Sequence, residues 1–360
     1  MSTGPDDRER RLVEIREEAE LRGAVSGTGI TPVGSPIPRA SEHTGYYGIP
    51  LLKEPQWKWE VPIYFFVGGV AGSSAVIAAM ADWVGKDPEL ARHARWLAAG
   101  GAVVSSGLLI ADLGRPERFL NMLRVFKPQS AMSVGAWILA AFGTVSGASA
   151  FAHEVKQYWN PGPVKVIADL SQFGAALVGL PFHNYTGVLL GATVIPAWNR
   201  NVSTLPIHFG MSGVQGACSI LELSGHGKQR ALNLLGIMAA GWETYEGIYL
   251  ETRPERELRP LKRGVSGWIT RAGGVLSGPV PLGLRLVSAF TRGRTSRNAR
   301  KWAAVAGIAG SLLTRYGWVQ AGHASARDWR VPLEIPEQGS EVTQLMPATD
   351  SAIAAKEKSA

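Results

Sequence analysis

The sequence predicts an all-α integral membrane protein with eight transmembrane helices and an extended polar tail at each end. The mean hydropathy, +0.03, is close to neutral, but that average conceals strong segregation along the 360 residues. Residues 1–60 and 319–360 are rich in charge, Pro and Gly. Between them, short charged loops separate apolar stretches that approach the roughly 20 residues a bilayer-spanning helix needs. The middle of the sequence is therefore predicted to be a membrane domain.

The elements are predicted in chain order from this pattern. Residues 1–55 form a polar tail that we expect to dock a partner protein, 56–320 form the transmembrane domain, and 321–360 form a second polar tail. The eight predicted spans are residues 61–83, 95–112, 131–152, 166–197, 203–222, 230–250, 267–290 and 302–318. The fourth is long and contains Pro181, which favours one kinked span. Splitting it near GLPFHN would instead give nine spans.

The orientation of the protein in the membrane is predicted less directly. The segment KEPQWKWEVP places Trp57 and Trp59 where an aromatic belt marks the membrane surface. Lys and Arg are nearly balanced between the loops of the two sides, so the positive-inside rule does not choose an orientation. The N-terminal tail lacks the regions of a cleaved signal peptide. Because such a polar tail is hard to export, we expect both termini in the cytoplasm and the spans in the inner cell membrane.

Composition excludes several kinds of site. Cys218 is the single cysteine, so the protein can form neither an internal disulfide nor an iron-sulfur cluster of its own. Any electron transfer must use a partner protein or a bound organic cofactor. The basic loop 252–263, TRPERELRPLKR, has the charge of a nucleic-acid surface. Beside membrane spans it instead predicts contact with a partner or with membrane lipid, and no nucleic-acid partner is expected.

Polar residues gather on the side of the membrane that holds the N-terminus. The predicted topology brings together the start of span 1, the end of span 2 and the later half of span 4, with Glu243 and Glu246 of span 6 in the same half. The residues gathered from spans 1, 2 and 4 are Lys58, Glu60, Asp112, Arg115, His183, Asn184 and Tyr185. An ionisable group near the bilayer centre costs roughly 2.5–3.5 kcal/mol, which makes such groups functional candidates.

Simpler interpretations of these residues stay open. Asp112 and Arg115 have the i, i+3 spacing of an ion pair at a helix end. Lys58 and Glu60 have the position of interfacial side chains that reach back to water.

A second set of ionisable residues suggests movement of protons through the membrane. His153, Asp169 and Glu222 lie on the opposite side, and together with Glu243 and Glu246 they are candidate members of a proton path. The first three fall at the ends of predicted spans, so proximity to water explains them better than a transport role.

Four motifs resemble a known family. The segments WKWEVPIYFFVGGVAG, DLGRPERFLNML, MSVGAWI and YTGVLLGATVIPAW occur in this order and together resemble the NrfD-like membrane-anchor family, which includes the polysulfide reductase membrane subunit. The resemblance spans residues 45–320. It implies eight helices in two four-helix bundles, with neither haem nor iron-sulfur cluster. It also implies menaquinone or ubiquinone binding beside a docked ferredoxin-like iron-sulfur subunit, which serves a molybdopterin-type catalytic subunit.

The resemblance also implies roles for individual residues. Tyr185 matches the tyrosine that is expected to hydrogen-bond a quinone carbonyl, and Asp112 and Arg115 match the motif carboxylate and arginine. Trp57 and Trp59 are expected to wall the quinone ring or to mark the interface.

One position departs from the family pattern. Lys58 stands where some relatives have histidine, and lysine near neutral pH donates hydrogen bonds but accepts no proton. Either the role of proton acceptor then falls to Glu60, Asp112 or His183, or the quinone head group binds in a different position.

Two other classes of function remain open on the sequence alone. A haem-carrying subunit would use His183 and His208 as axial ligands. A transporter would use broken helices, one at Pro181 and a partial candidate at GGVLSGPVPLG in span 7.

Overall fold

The protein is described by a computed structural model that covers residues 52–113, 116–159, 161–328 and 331, together with Glu14 and Glu17. Every regular element in these residues is helical, which confirms the predicted all-α class. Most of the N-terminal tail and the end of the C-terminal tail lie outside the described residues.

The helices are numbered in chain order. They are α1 Glu60–Met80, α2 Pro88–Asp112, α3 Ala131–Tyr158, α4 Gly162–Gly191, α5 Pro196–Asn199, α6 Leu205–Leu221, α7 Arg230–Thr252, α8 Arg259–Lys262, α9 Gly264–Ser277, α10 Pro279–Phe290 and α11 Gly293–Arg327. Wider π-helical turns, Ala81–Gly85 and Glu222–His226, extend α1 and α6. Tighter 3₁₀ turns occupy Pro116–Leu123 and Arg256–Leu258.

Four helical segments are long and apolar enough to cross a membrane. They are Glu60–Gly85, Pro88–Asp112, Ala131–Tyr158 and Gly162–Gly191, which correspond to the first four predicted spans. The described helices of the second half contain buried arginine and glutamate, or are interrupted. None of them is both long enough and apolar enough to meet the same criterion. The count of eight spans and the two-bundle arrangement therefore stay predictions.

The helices decide between one and two spans around Pro181, and their boundaries differ from the predicted spans elsewhere. Helix α4 runs through Pro181 without a break, so the split near GLPFHN is wrong. The seventh predicted span is divided at Gly278, between α9 and α10, because Pro279 has no N–H with which to continue the first helix. Helix α11 extends to Arg327, beyond the predicted start of the polar tail.

Local sequence signals explain where two of the helices begin. The Asp87 side chain accepts a hydrogen bond from the Leu90 N–H at 3.0 Å, just before Pro88 at the first position of α2. The Ser130 hydroxyl accepts one from the Ser133 N–H at 3.3 Å at the start of α3. Both are typical N-caps.

Helix α1 lies at the centre of the packing. It contacts α2 and α4 of the first half of the domain, which comprises α1–α4. It also contacts α6 and α11 of the second half, which comprises α5–α11. In the second half, α6 packs on α7 and α11, while α9 and α10 pack on α11. The side of the domain where α1 begins is called the near face, and the side where it ends is called the far face. Polar residues of both halves are thus arranged around one shared helix.

Replacing Gly72 with alanine is expected to destabilise the protein by about 1–3 kcal/mol, the usual cost of overpacking. A Cβ there would lie 2.7 Å from the Gly179 carbonyl oxygen and 2.8 Å from the His183 nitrogen, both backbone atoms of α4 that cannot move aside cheaply. Gly147→Ala is the control, because a Cβ at Gly147 meets nothing within 4 Å. Thermal unfolding in detergent measures both. Equal unfolding temperatures for the two variants would contradict the close α1–α4 crossing.

Candidate functional site

The first group of candidate residues lies at the near face of the first half. Glu60 opens α1 and Asp112 closes α2, and the charges of Glu60 and Lys58 lie close enough to act on the Asp112 carboxylate. Glu60 Oε2 is buried and has no hydrogen-bond partner among the described residues, whereas Lys58 is exposed. Arg115 lies outside the described residues. The structure thus brings together two of the predicted carboxylates beside a lysine.

Tyr185 lies in the same region, on α4. Its side chain is buried, and the hydroxyl donates a hydrogen bond to the carbonyl oxygen of Ala131 at the start of α3. The ring fits against Gly135, where a Cβ would come within 2.6 Å of it. Tyr64, one turn after Glu60 on α1, is close enough to interact electrostatically with Tyr185. The Tyr185 proton is therefore already used, while the phenolic oxygen can still accept a hydrogen bond.

His183 is turned along its own helix. Its Nδ1 lies 3.2 Å from the Gly179 carbonyl oxygen, and its ring reaches the surface of α6 at Gly210, where Asn184 also packs. The side chain is half-buried. It therefore lies at the crossing of α4 with α6, with one ring nitrogen already hydrogen-bonded.

The two tryptophans of the WKW segment have different surroundings. Trp57 stacks on Trp198, with ring centroids 5.1 Å apart, and meets Phe65 edge-on at 6.0 Å. Trp59 is 59% exposed. Trp57 thus anchors the segment before α1, whereas Trp59 has the position of an interfacial residue.

An ion pair holds the same segment at the end of α11. The Arg327 guanidinium donates to Glu54 at 2.7 and 3.1 Å and holds the pKa of that carboxyl below its usual range. His323 lies 3.1 Å from Glu54 as well. Glu54 therefore remains ionised at neutral pH and fixes the start of the membrane domain to its last helix.

A second cluster lies in the second half of the protein, on the side towards the near face. His208 Nδ1 lies 3.1 Å from Glu243 Oε1 and 2.9 Å from Glu246 Oε2. His208 and Glu243 are more than nine-tenths buried, and the Ser277 hydroxyl donates to Glu243 at 2.9 Å. The imidazole and the two carboxylates line a cavity of about 540 Å³. Glu243 and Glu246 were predicted in this half; their partner His208 was not.

The donor set of this cluster has two interpretations. One nitrogen and two carboxylate oxygens within 4.8 Å of one another are sufficient to hold a metal ion. However, Arg315 is fully buried and close enough to Glu243 to act on its charge. A protonated histidine and an arginine balance two carboxylates, so an ion cluster without metal satisfies the charges.

Arg315 is held firmly in the centre of the domain. It donates to the Ser212 hydroxyl at 2.5 Å and to the Phe209 carbonyl at 3.0 Å. Its guanidinium lies over the rings of Phe209 and Phe66, at 5.2 and 5.8 Å from their centroids. It therefore joins α11 to α6 and α1.

A third cluster lies at the far end of α6. Arg285 donates to Glu222 at 2.8 Å, and their side chains are 0% and 2% exposed. Ser219 and Asn233 also accept from Arg285, at 3.3 and 3.5 Å. Glu222 was expected near water at a span end, but it is buried and paired with Arg285 of α10.

One face of α6 connects the second and third clusters. The buried polar residues of this face recur at intervals of four and three positions: His208, Ser212, Gln215, Ser219 and Glu222. At 1.5 Å per residue they cover about 21 Å, against the roughly 30 Å of a hydrocarbon core. A far-face cavity of about 370 Å³ touches Glu222. This polar face of α6 therefore has a cavity at each end.

The remaining predicted residues lie at the far face of the first half. His153 Nε2 is 3.7 Å from Asp82, which pairs with buried Arg95 at 2.6 Å. Asp169 is 52% exposed and pairs loosely with Lys156. His153 thus belongs to a buried polar cluster, contrary to the expectation that water surrounds it, whereas Asp169 lies at the surface as expected.

The comparisons with known proteins agree with the motifs. Residues 52–224 match the family described as "Polysulphide reductase, NrfD". The sequence is also 26% identical over 180 residues to the C subunit of the polysulfide reductase of Wolinella succinogenes. Residues 52–224 are thus similar to the NrfD-like family. The second alignment covers 45% of this protein and 56% of the relative, and the family match ends within the far-end turn of α6. Together with the four apolar helices, these matches indicate a multi-pass membrane protein.

Proposed function

We propose that this protein is the quinone-reactive membrane-anchor subunit of a respiratory oxidoreductase. In this role it exchanges electrons between menaquinone or ubiquinone and a ferredoxin-like iron-sulfur subunit, which serves a molybdopterin-type catalytic subunit. The observation that carries the proposal is the near-face group of Glu60, Asp112 and Tyr185, within the part of the sequence that matches the family. The proposal includes eight spans in two bundles in the inner membrane, and docking of the partner on the near face by the N-terminal tail.

The residue chemistry of the near-face group fits a quinol better than a quinone. Tyr185 already donates its proton to Ala131, so its oxygen is free to accept a hydrogen bond from a quinol hydroxyl. Glu60 Oε2 is buried without a hydrogen-bond partner among the described residues, which is costly unless a ligand supplies one. Oxidation of a quinol releases two electrons and two protons. Asp112, partly exposed at the end of α2, is the group that passes protons to water.

Substitutions at Asp112 and Tyr185 test the proposed site. Asp112→Asn removes the proton acceptor and is expected to lower quinol-dependent turnover of the intact complex about 100-fold or more. Tyr185→Phe removes one hydrogen bond and is expected to lower it roughly tenfold.

Matched controls are available at the far face. Asp169→Asn makes the same change at a carboxylate that is 52% exposed, and Tyr158→Phe does so at a tyrosine that is 88% exposed. Steady-state kinetics with a soluble quinol, together with the unfolding temperature of each complex, separates site effects from instability. Normal quinol kinetics in both site variants would overturn the proposed site.

A second proposed activity is proton transfer along the polar face of α6. The support is the continuous run from the His208 cluster to the Glu222 cluster, each beside its own cavity. Buried titratable groups within membrane helices commonly mark such paths. Gln215, at the middle of the run, has no hydrogen-bond partner on either side-chain atom among the described residues. An amide of this kind is positioned to bind water that links the two clusters.

The haem and transporter alternatives receive less support. His183 and His208 have separate partners, a backbone carbonyl and two carboxylates, which both rings would have to leave to ligate one iron. A single interruption at Gly278 lacks the matching interruption in α4 that paired broken helices require.

A further inference from the structure

A basic pocket lies at the far face, between the α6–α7 connection and the start of α11. Two adjoining cavities of about 370 and 360 Å³ share the lining residues Gly227, Lys228, Arg297 and Arg300, and Lys301 lines the larger one. Lys228, Arg297 and Lys301 are exposed. The pocket therefore presents three cations to the membrane surface from two segments of the protein.

These three cations are not neutralised by the described part of the protein. No ion pair or side-chain hydrogen bond joins Lys228, Arg297 or Lys301 to another described residue. Arg297 and Lys301 are four residues apart on one face of α11, a spacing at which like charges repel. The one acidic residue among those lining the cavities is Glu222, whose carboxylate is committed to Arg285 at 2.8 Å. An external anion would relieve the repulsion.

Arg300 gives the pocket a fixed wall. It is 9% exposed and donates to the carbonyl oxygens of Gly227 and Gln229, the second at 3.2 Å. These bonds hold the connection that carries Lys228 against the helix that carries Arg297 and Lys301. The cations are thus kept in one place before a ligand arrives, which lowers the cost of binding.

The surroundings of the pocket indicate a lipid as the source of the anion. Leu223 lies in the turn that follows α6, Phe290 is the last residue of α10, and Trp302 follows Lys301 on α11. Their side chains are 43%, 87% and 63% exposed. Large apolar and aromatic residues beside basic ones are typical of the interfacial zone, where acyl chains and headgroups meet. Basic pockets between membrane helices bind anionic lipid headgroups. Inorganic phosphate has no apolar part that could contact these exposed apolar side chains.

We propose that Lys228, Arg297 and Lys301 form a binding site for the phosphodiester headgroup of an anionic phospholipid at the far face. The site is independent of the proposed quinone reaction, which lies at the near face.

Native mass spectrometry of the delipidated full-length protein tests this proposal. The probe is phosphatidylglycerol, offered together with an equal amount of phosphatidylcholine. We expect retention of phosphatidylglycerol in preference to phosphatidylcholine, without displacement by millimolar inorganic phosphate. The triple variant Lys228→Gln, Arg297→Gln and Lys301→Gln is expected to bind about 100-fold more weakly, since each cation near anionic lipid contributes roughly fivefold.

The control variant makes the same charge change at Arg230, Arg292 and Arg294, which are exposed at the same face but do not line the cavities. It should retain phosphatidylglycerol like the unaltered protein, and all three proteins should unfold at similar temperatures. Equal loss in both variants would reduce the site to general surface charge and overturn the proposal. Equal retention of the two lipids by the unaltered protein, or displacement by inorganic phosphate, would overturn it as well.

Discussion

Replacing Arg285 with methionine is expected to lower the free energy of unfolding by about 3–5 kcal/mol, because it leaves a buried carboxylate without its partner. Both side chains of the Arg285–Glu222 pair are almost inaccessible to solvent, at 0% and 2% exposure. Ser219 and Asn233 would lose a donor at the same time. The change should appear as a large fall in the unfolding temperature of the purified protein in detergent or nanodiscs.

The double variant separates the ion pair from simple packing. Adding Glu222→Gln to Arg285→Met removes the unpaired charge and is expected to restore much of the lost stability, since apolar replacement of both partners is often tolerated. Arg271→Met is the surface control: Arg271 pairs with Glu251 at 2.6 Å, but both are nearly half exposed. It should change stability little. A single variant Arg285→Met as stable as the Arg271 control would mean that Glu222 is neutral in the folded protein.

Replacing Gln215 with leucine is expected to stop proton movement while sparing quinol oxidation. Gln215 lies midway along the polar face of α6, completely buried, with both amide atoms unpartnered among the described residues. Leucine fills similar space but binds no water, so it interrupts the link between the clusters. The measurement is acidification by the intact complex in sealed vesicles after a quinol pulse, set against quinol consumption in the same sample.

The stability of this variant makes the test decisive. Removing a buried polar group that has no partner is neutral or stabilising, so Gln215→Leu should unfold no earlier than the unaltered protein. Loss of proton movement then cannot be attributed to damage. Gln172→Leu is the contrasting control, because Gln172 accepts from Arg95 at 2.6 Å in the first half and its loss should destabilise the protein. Unchanged proton yield with Gln215→Leu would refute the proposed path along α6.

The fold was predictable where hydrophobicity alone decides it. The all-α class and the positions of the first four spans follow from apolar runs of sufficient length, and no tertiary contact is needed to recognise them. The ends of helices were less predictable. Helix α2 begins at Pro88, seven residues before the predicted start. Its first turns contain the charged residues Arg92 and Arg95, which lower the hydropathy of the segment, although ion pairs stabilise the helix there.

The candidate site was predictable only in part, because topology places residues on a face without saying what they touch. It grouped Glu60 with Asp112, but it did not reveal that Tyr185 donates to Ala131. It also overlooked Arg285 and Arg315, although an arginine inside an apolar stretch is itself a signal of a buried partner. The four-and-three spacing from His208 to Glu222 is present in the sequence. It did not predict a buried polar face because single Ser and Gln residues are common on helices.

The central position of α1 has a consequence for biogenesis. Helix α1 is synthesised before α2–α11, yet Gly69 on it packs against Gly213 of α6 and against Arg315 of α11, the last of the numbered helices to be synthesised. A fragment that stops after residue 224, where the family match ends, keeps Gly213 but lacks Arg315, so the packing around Gly69 would stay incomplete. We therefore expect α11 to be needed to complete the packing of α1, and a fragment limited to the matched region to be degraded when expressed by itself.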